Sequence, residues 1–387
     1  MSAGRSPSGS ASAAELDVSV VMPCLDEEAA VGQCVARALG WIRRSGLRGE
    51  VIVVDNGSTD RSTAVARQAG ARVLEETARG YGRAVLRGVA EARGRIVVVG
   101  DADGTYDFSD LSPLVAPLGD GADLVLGNRF AGGLAPGAMP FLHRVLGTPI
   151  NNALLRGFFG VRVGDSHSGL RAFRRDLLGR LGLSEAGFEL TAEMLIRAAR
   201  AGYRIAEVPA PYGPRQGKSK LSTLREGWRF LRFVLLAAPD FLFVVPGLAL
   251  LLGGLFVFAL AFMSPSGVVI GSLSWQPVFA GPILVAIGAN ALAFGVVAKL
   301  RGTARGLLPE DRAVRLYRRF FSLERVLIVA FTLVLAGAAL DGYLFAVWAS
   351  GGEASPGNHL AAVAQTLLLV GAQLGFAAFL VVTVDRD

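Results

Sequence analysis

The run Ile96-Val97-Val98-Val99-Gly100-Asp101-Ala102-Asp103-Gly104-Thr105-Tyr106 decides the fold. A short apolar stretch rich in β-branched residues and closed by glycine reads as a buried strand. It ends abruptly in two carboxylates, Asp101 and Asp103, that leave into a loop. There the backbone is free to turn both toward one ion. A hard cation such as Mg²⁺ takes few protein carboxylates and keeps positions for phosphate oxygens. Taken alone, Asp-x-Asp also ends many strands as a plain polar turn. An EF-hand is excluded by spacing. Counted from Asp101, that loop needs Gly at the sixth position and Glu at the twelfth, where this chain has Tyr106 and Ser112.

Outward from this run, short apolar strands alternate with helical patterns over 16–225, which predicts an α/β domain. The first strand, about Asp17–Met22, runs into Pro23-Cys24-Leu25-Asp26-Glu27-Glu28. A helix follows, with Val31, Val35, Leu39 and Ile42 near one face. The turn carries no G-x-G-x-x-G, which disfavours a standard dinucleotide fold. The second strand, Glu50–Val54, ends in Asp55-Asn56-Gly57-Ser58-Thr59-Asp60. Ligands of open α/β sheets bind outside the carboxyl ends of strands, so Asp55 is placed to meet a base or ribose. The same residues also read as a capped turn, and both readings stand. In Arg79-Gly80-Tyr81-Gly82, two glycines before a helix let backbone approach a ligand.

The 387 residues carry 39 Lys and Arg against 32 Asp and Glu, a net charge of +7. Residues 1–15 are Ser/Ala/Gly-rich, read as a disordered tail, and lack the apolar core of a signal peptide. Four apolar runs, Phe241–Met263, Pro277–Ala298, Val326–Ala349 and Leu360–Val384, are each long enough to span a bilayer. Asp341 is the one carboxylate within a span, either functional or interfacial. Between the second and third runs lie Lys299, Arg301, Arg305, Arg312, Arg315, Arg318, Arg319 and Arg325; the loop after the first run is uncharged. The positive-inside rule then places that middle loop, the α/β domain and the C-terminus in the cytoplasm. The excess charge belongs to this bias, and no nucleic-acid partner is expected. Cys24 and Cys34 sit in the cytoplasmic part, where a disulfide is not expected. No His/Cys cluster has zinc spacing.

In order, Val20-Val21-Met22-Pro23 with Asp26-Glu27, Val53 to Asp60, Gly80-Tyr81-Gly82, Asp101-Ala102-Asp103-Gly104, Leu126-Gly127-Asn128-Arg129-Phe130, Gly137-Ala138-Met139-Pro140, Asp165-Ser166-His167-Ser168-Gly169-Leu170-Arg171 and Arg215-Gln216-Gly217-Lys218-Ser219-Lys220-Leu221 resemble one family. It is the family 2 glycosyltransferases, in the branch of dolichol-phosphate mannose synthase and other polyprenyl-phosphate glycosyltransferases. The resemblance covers about residues 17–240. It implies a GT-A fold, a Rossmann-like mixed, mainly parallel sheet with helices on both faces. It also implies a nucleotide-sugar donor, a polyprenyl phosphate acceptor, and Mg²⁺ or Mn²⁺. By resemblance Pro23, Leu25, Glu27 and Asp55 line the base and ribose pocket, with Gly57 and Gly80 beside it. Asp101 and Asp103 hold the metal and diphosphate. Asn56 departs from the second Asp common in the family, which alters ribose contacts at most.

A polyprenyl phosphate is already anionic and needs no strong general base. The difficulty is repulsion between two anions, relieved by a metal on the leaving group and by cations on the acceptor. Arg129, Arg215 and Lys220 suit that role, with Gly217 and Ser219 favouring a loop around them. Asp165 resembles a family aspartate near the reacting sugar; it equally reads as a turn cap. His167 reads as a packed residue rather than a base, and Ser168 and Arg171 serve the same loop. Glu189 and Glu193, on one helix face, read by default as solvated. The residues expected to carry the chemistry are therefore Asp103, Asp165, Arg129, Arg215, Ser219 and Lys220. Residues 221–240, with Arg225, Arg229 and Arg232 among apolar side chains, read either as a helix on the membrane surface or as an extension of the first span.

The organisation expected is a tail (1–15), a GT-A domain (16–220), an interfacial helix (221–240) and four transmembrane helices (241–387). The expected product is a multi-pass inner-membrane hexosyltransferase facing the cytoplasm, with a homo-oligomer left open. A processive polysaccharide synthase would carry Gln-x-x-Arg-Trp, which none of Trp41, Trp228, Trp275 and Trp348 completes. A membrane scaffold or flippase-associated protein with a degenerate transferase domain is the non-enzyme alternative; the intact Asp101/Asp103 pair opposes it.

Overall fold

The computed structural model describes residues 16–217, 223–264, 267–270, 273–304, 306–308, 310–352 and 357–385. The tail expected over 1–15 lies outside them, as do Ser219 and Lys220. The chain divides into two compact units, Met1–Val234 and Leu235–Asp387.

The first unit runs β1 (Leu16–Cys24), α1 (Val31–Ser45), β2 (Gly49–Asp55), α2 (Ser62–Gln68), β3 (Arg72–Glu75), α3 (Tyr81–Glu91), β4 (Gly94–Val99), α4 (Ser112–Gly119), β5 (Leu124–Asn128) and α5 (Arg129–Gly132). It continues through a π-helical turn (His143–Gly147) into α6 (Thr148–Phe159), β6 (Arg171–Arg174), α7 (Arg175–Leu181), α8 (Leu190–Arg200), β7 (Ile205–Pro209) and most of α9 (Thr223–Leu236). Its strands form one sheet in the order β3-β2-β1-β4-β6-β5-β7. β6 is antiparallel to β4 and β5, and the other pairings are parallel. This is the mixed, mainly parallel sheet that the family resemblance implies.

Helices cover both faces, so the central strands are apolar on both. Val18, Val20 and Met22 of β1, with Val51 and Val53 of β2, share a core with Val31, Val35, Ala38, Trp41 and Ile42 of α1. Leu39 sits half-buried at the edge of that face. On the opposite face α3 approaches through Gly88. A Cβ there would lie 2.4 Å from Val21 Cγ1 and 2.8 Å from Val54 Cγ2. β1 runs past its expected end at Met22 to Cys24. Beyond Val21 it pairs with β2 alone, and a strand with one free side tolerates the missing N–H of Pro23.

The second unit holds α10 (Val245–Met263), a hairpin of β8 (Val268–Ile270) and β9 (Leu273–Trp275), α11 (Pro277–Ala304), α12 (Arg312–Phe320), α13 (Leu323–Ala349) and α14 (Gly357–Asp385). Four helical stretches are long and apolar enough to cross a membrane: Asp240–Met263, Pro277–Ala304, Leu323–Ala349 and Asn358–Val384. Small residues bring helices together, as apolar spans require. A Cβ on Gly254 would meet Val285 N at 2.6 Å, and one on Gly288 would meet Leu251 N at 2.5 Å. Lys299 ties the start of the first span to the following loop, 2.7 Å from Asp240 and 2.5 Å from Asp311. Asp341 lies exposed on the flank of α13. The helix expected over 221–240 is α9, which buries Phe230 and Val234 and exposes Trp228.

Val21 and Val54 are fully buried and cannot yield to a new methyl group. Gly88→Ala therefore destabilises the chain by about 1–3 kcal/mol through overpacking. Thermal unfolding in detergent should show a lowered midpoint, and an unchanged one contradicts this packing.

Candidate active site

The sheet brings the expected site residues to one edge. Cys24 at the end of β1 pairs with Asp55 at the end of β2, and Val21 pairs with Val99 of β4. β5 runs parallel to β4 through the antiparallel β6 between them, so Asn128 ends at the same edge and the loop before Arg171 arrives there. Loops from five distant parts of the sequence thus meet outside the carboxyl ends of the parallel strands, where ligands of such sheets bind.

Asp103 is buried, and its Oδ1 accepts from Thr105 N at 3.0 Å and Thr105 Oγ1 at 2.6 Å. Its Oδ2 lies 3.2 Å from Arg215 Nη1. Arg215 also donates from Nη2 to Glu27 Oε1. Its Nε is buried with no hydrogen-bond partner among the described residues. Backbone pairing delivers this arginine: Gln216 N donates to Asp103 O at 3.0 Å, and Gly213 N donates to Thr105 O at 2.9 Å. The Tyr81 hydroxyl acts on Asp101 weakly, in favour of its charged form. Burial, and then the charge of Asp103, raise the Asp101 carboxyl well above the usual carboxylate range. Burial likewise pushes Glu27 up to about 7, opposed by Arg215 and reinforced by Asp103. Glu27, expected at the base and ribose, is linked to the Asp103 carboxylate through the shared arginine.

The neighbouring loops clasp each other through side chains. Asp26 takes a left-handed φ of 51°. Its Oδ1 accepts from Thr59 N at 2.6 Å, and its own N–H donates to Ser58 Oγ at 2.9 Å. Glu27 N donates to Ser62 Oγ at 2.7 Å. Asp55 is buried and caps its own turn, accepting from Gly57 N and Ser58 N at 3.2 Å. Pro23 and Leu25 are half-buried on the same strand end. Gly57 has φ 86°, and a Cβ there would lie 3.2 Å from the Arg79 guanidinium carbon.

Gly80, Gly82 and Asn56 serve the packing of the chain itself. Gly80 and Gly82 do not open the backbone to a ligand. A Cβ on Gly80 would lie 2.2 Å from Ala186 O, and one on Gly82 2.2 Å from Glu185 O. The glycines admit the 185–187 backbone, which sends Phe188 against the Tyr81 ring at 5.2 Å. Asn56 spends its amide within the chain. Its Nδ2 donates to Glu76 O and Ala78 O, both at 2.9 Å, and its Oδ1 accepts from Gly80 N at 2.8 Å. Two carbonyls and one N–H require an amide, which explains Asn where an acid was expected.

Arg129 and Asp165 form one buried unit rather than two separate catalytic groups. Arg129 Nε and Nη2 donate to Asp165 Oδ2 and Oδ1 at 2.6 and 2.8 Å. The guanidinium carbon lies 5.1 Å from the centre of the Tyr212 ring. The cation expected on the acceptor is thus buried and already paired. Glu207, in the middle of β7, fixes the loop by accepting from Gly164 N at 2.7 Å and Asp165 N at 3.0 Å. Arg171 closes the same loop, donating to Ser166 O, Ser168 O and Thr191 O. His167 is packed, with its ring stacked 4.0 Å from Phe230 and its nitrogens facing Asn151 and Ser166. Burial holds it neutral, down at about 3.

The solvated face expected for Glu189 and Glu193 is overturned. Glu193 is fully buried, accepts from Ser184 N and Glu185 N, and pairs with Arg197 at 2.9 Å. Glu189 is buried, with Oε2 unpaired among the described residues. Sequence reasoning passed over Tyr81, Tyr212 and Glu207. The tyrosine of Gly80-Tyr81-Gly82 was visible, but nothing local marks Glu207.

Residues 19–182 match the family described as Glycosyl transferase family 2, and residues 296–385 match the Glycosyltransferase family 2 C-terminal transmembrane region. The low-salt glycan biosynthesis hexosyltransferase Agl6 of Haloferax volcanii is 35% identical over 368 residues, 94% of this chain and 88% of that protein. The dolichyl-phosphate hexose transferase of the same organism is 40% identical over 211 residues, 54% of this chain and 89% of that one. The polyprenol monophosphomannose synthase of Mycolicibacterium smegmatis is 30% identical over 186 residues, 44% and 70% of the two chains. The chain belongs to the family 2 glycosyltransferases, in their dolichol-phosphate mannose synthase-like branch. It is a membrane-embedded glycosyltransferase.

Arg129→Ala leaves the buried Asp165 carboxylate without its guanidinium partner and costs about 3–5 kcal/mol of stability. Denaturant titration of the purified variant checks this; wild-type stability would show that the pair does not hold the loop. Asn56→Asp turns a carboxylate toward two carbonyls and costs about 1–3 kcal/mol. Its melting point should fall, whereas an unchanged one contradicts the clasp.

Proposed function

We propose that this enzyme transfers a hexose, with inversion, from a nucleotide-diphosphate sugar to a polyprenyl phosphate at the cytoplasmic leaflet. The observation that carries the reading is the cluster of Asp101, Asp103 and Glu27 around Arg215 at the shared strand edge. Among the described residues no three His, Cys, Asp or Glu side chains gather as a complete metal site. Two carboxylates, one of them raised by burial and then by its neighbour's charge, suit a hard cation sharing its shell with phosphate oxygens and water. Asp101 and Asp103 would hold Mg²⁺ or Mn²⁺, which when bound neutralises charge on the diphosphate leaving group.

The remaining work falls to the chain's own groups. Asp55 and its capped turn, with Pro23 and Leu25, form the floor on which the nucleoside rests. Arg215 shares two carboxylates, and its buried Nε is a donor with no hydrogen-bond partner among the described residues. A phosphate oxygen of the acceptor can replace a carboxylate as its partner, in the bidentate manner open to arginine. The acceptor is ionised on arrival, so no base is required, in keeping with a packed, neutral His167. The Arg129–Asp165 pair and Tyr212 hold the acceptor side in shape rather than reacting. Ser219 and Lys220 extend the Arg215 segment in sequence and are proposed as further acceptor contacts. The cations from Lys299 to Arg325 against an uncharged first loop support a cytoplasmic active site.

A donor panel tests this. Purified chain, polyprenyl phosphate and Mn²⁺ are offered labelled UDP-glucose, GDP-mannose and UDP-N-acetylhexosamines. Label should enter the lipid phase from one hexose donor and not with Asp103→Ala. No transfer from any donor by folded protein counts against the reading. The raised carboxyls add a pH dependence. They bind protons in the fold that the unfolded chain releases, so the ligand-free fold loses stability as pH rises from the ordinary carboxylate range through about 7. A cation must displace the same protons, so Mn²⁺ affinity should rise between pH about 6 and about 8. Calorimetric titration showing a flat affinity contradicts this.

A further inference from the structure

We propose that Glu189 accepts hydroxyl groups of the donor hexose and so takes part in choosing the sugar, an inference that rests on the transfer proposed above. Glu189 is only 9% exposed, and its buried Oε2 has no hydrogen-bond partner among the described residues. Other buried acids of the same unit are met by donors. Asp55 accepts from Gly57 N and Ser58 N, and Asp103 from Thr105 N and Oγ1. Asp165 receives two nitrogens of Arg129. Glu193, one turn further along α8, accepts from Ser184 N and Glu185 N and pairs with Arg197. A buried carboxylate without donors is costly, and its persistence calls for an explanation. A ligand that brings the donors supplies one.

The surroundings of Glu189 belong to the transfer site. It stands at the N-cap of α8. A Cβ on Gly187 would lie 3.1 Å from its Cδ and closer still to Oε2, so the carboxyl folds over the 185–187 backbone. That backbone packs on Gly80 and Gly82 at the start of α3. Phe188 sets its ring 5.2 Å from that of Tyr81 and 6.1 Å from that of His167. Arg171 donates to Thr191 O, in the first turn of α8, at 2.7 Å. Both neighbouring segments reach Asp101. Tyr81 acts on its carboxyl, and a Cβ on Gly169 would lie 2.6 Å from its Oδ2. Charge then selects the ligand group. Both substrates carry phosphate, which a carboxylate repels, and an isoprenoid chain carries no donor. The nucleoside is assigned to Asp55, at the end of β2. The hexose remains: its hydroxyls donate, and two adjacent ones match two carboxylate oxygens.

The test is a cycle between residue and substrate. Single-turnover transfer to polyprenyl phosphate by the full chain in detergent is measured with UDP-glucose, GDP-mannose and their 2-, 3-, 4- and 6-deoxy forms. In the wild type, loss of one particular hydroxyl should slow transfer by about tenfold or more, because the carboxylate is left without its donor. In Glu189→Ala the same deoxy donor and its parent should react at equal rates, with UDP and GDP alone binding as in the wild type. Glu189→Gln keeps the shape and should show a smaller penalty, which serves should the alanine variant misfold. Both variants should match or exceed the wild-type melting temperature, since an unpaired buried acid has been removed. Deoxy penalties equal in wild type and variants overturn this proposal alone. A lowered melting temperature with those penalties intact also overturns it and assigns Glu189 to folding. No transfer from any donor by folded wild type overturns the transfer reading, and this proposal with it.

Discussion

Three carboxylates, Glu27, Asp101 and Asp103, converge on one edge of the sheet with a single arginine between them. That concentration of negative charge is the constraint on which the rest of the first unit depends. Burial raises two of the three above the range of ordinary acids, so the ligand-free site is electrostatically unsatisfied. Arg215 relieves part of the repulsion, and it does so from the segment that leads toward the membrane. A site of this kind gains most from a cation that arrives with a diphosphate. It can then release an arginine to a second anion. The reaction proposed has those two requirements.

The surrounding scaffold works by side-chain-to-backbone clasps more than by glycine-rich loops. Asn56 ties the end of β2 to the approach of α3, and Asp26 ties the end of β1 to that of β2. Glu207 and Arg171 hold the loop that carries Asp165 and His167. Buried groups of this sort are costly if one partner is lost, which makes the site rigid and its supporting residues easy to mistake for catalytic ones. Arg129 and Asp165 illustrate the point: each is the buried ion-pair partner of the other, so removing either destabilises the loop. The two thiols take no part, since burial pushes Cys24 up to about 12 and Cys34 to about 11.

What was legible in the sequence was local. The apolar run before Asp101 and Asp103 marked a strand end, and uninterrupted apolar stretches marked the spans to within a few residues. Pairings between distant residues were not legible. Nothing near Arg129 in the chain points to Asp165, so a buried pair read as two free groups. Glycine was misread for a different reason: Gly80 and Gly82 show that space is needed, but not that the 185–187 backbone fills it. Glu193 could have been read better, because Arg197 stands one helical turn away. The i, i+4 pair was present beside the like-charged Glu189 that drew attention instead.

The most direct test of the central claim is Arg215→Ala, measured for donor binding and for single-turnover transfer to polyprenyl phosphate. If Arg215 only shares the carboxylates until the acceptor arrives, nucleotide-sugar affinity with Mn²⁺ is retained or improved. The transfer step then falls by about a hundredfold, as expected for loss of one electrostatic donor. Loss of donor binding in step with transfer, or transfer at the wild-type rate, would contradict the account.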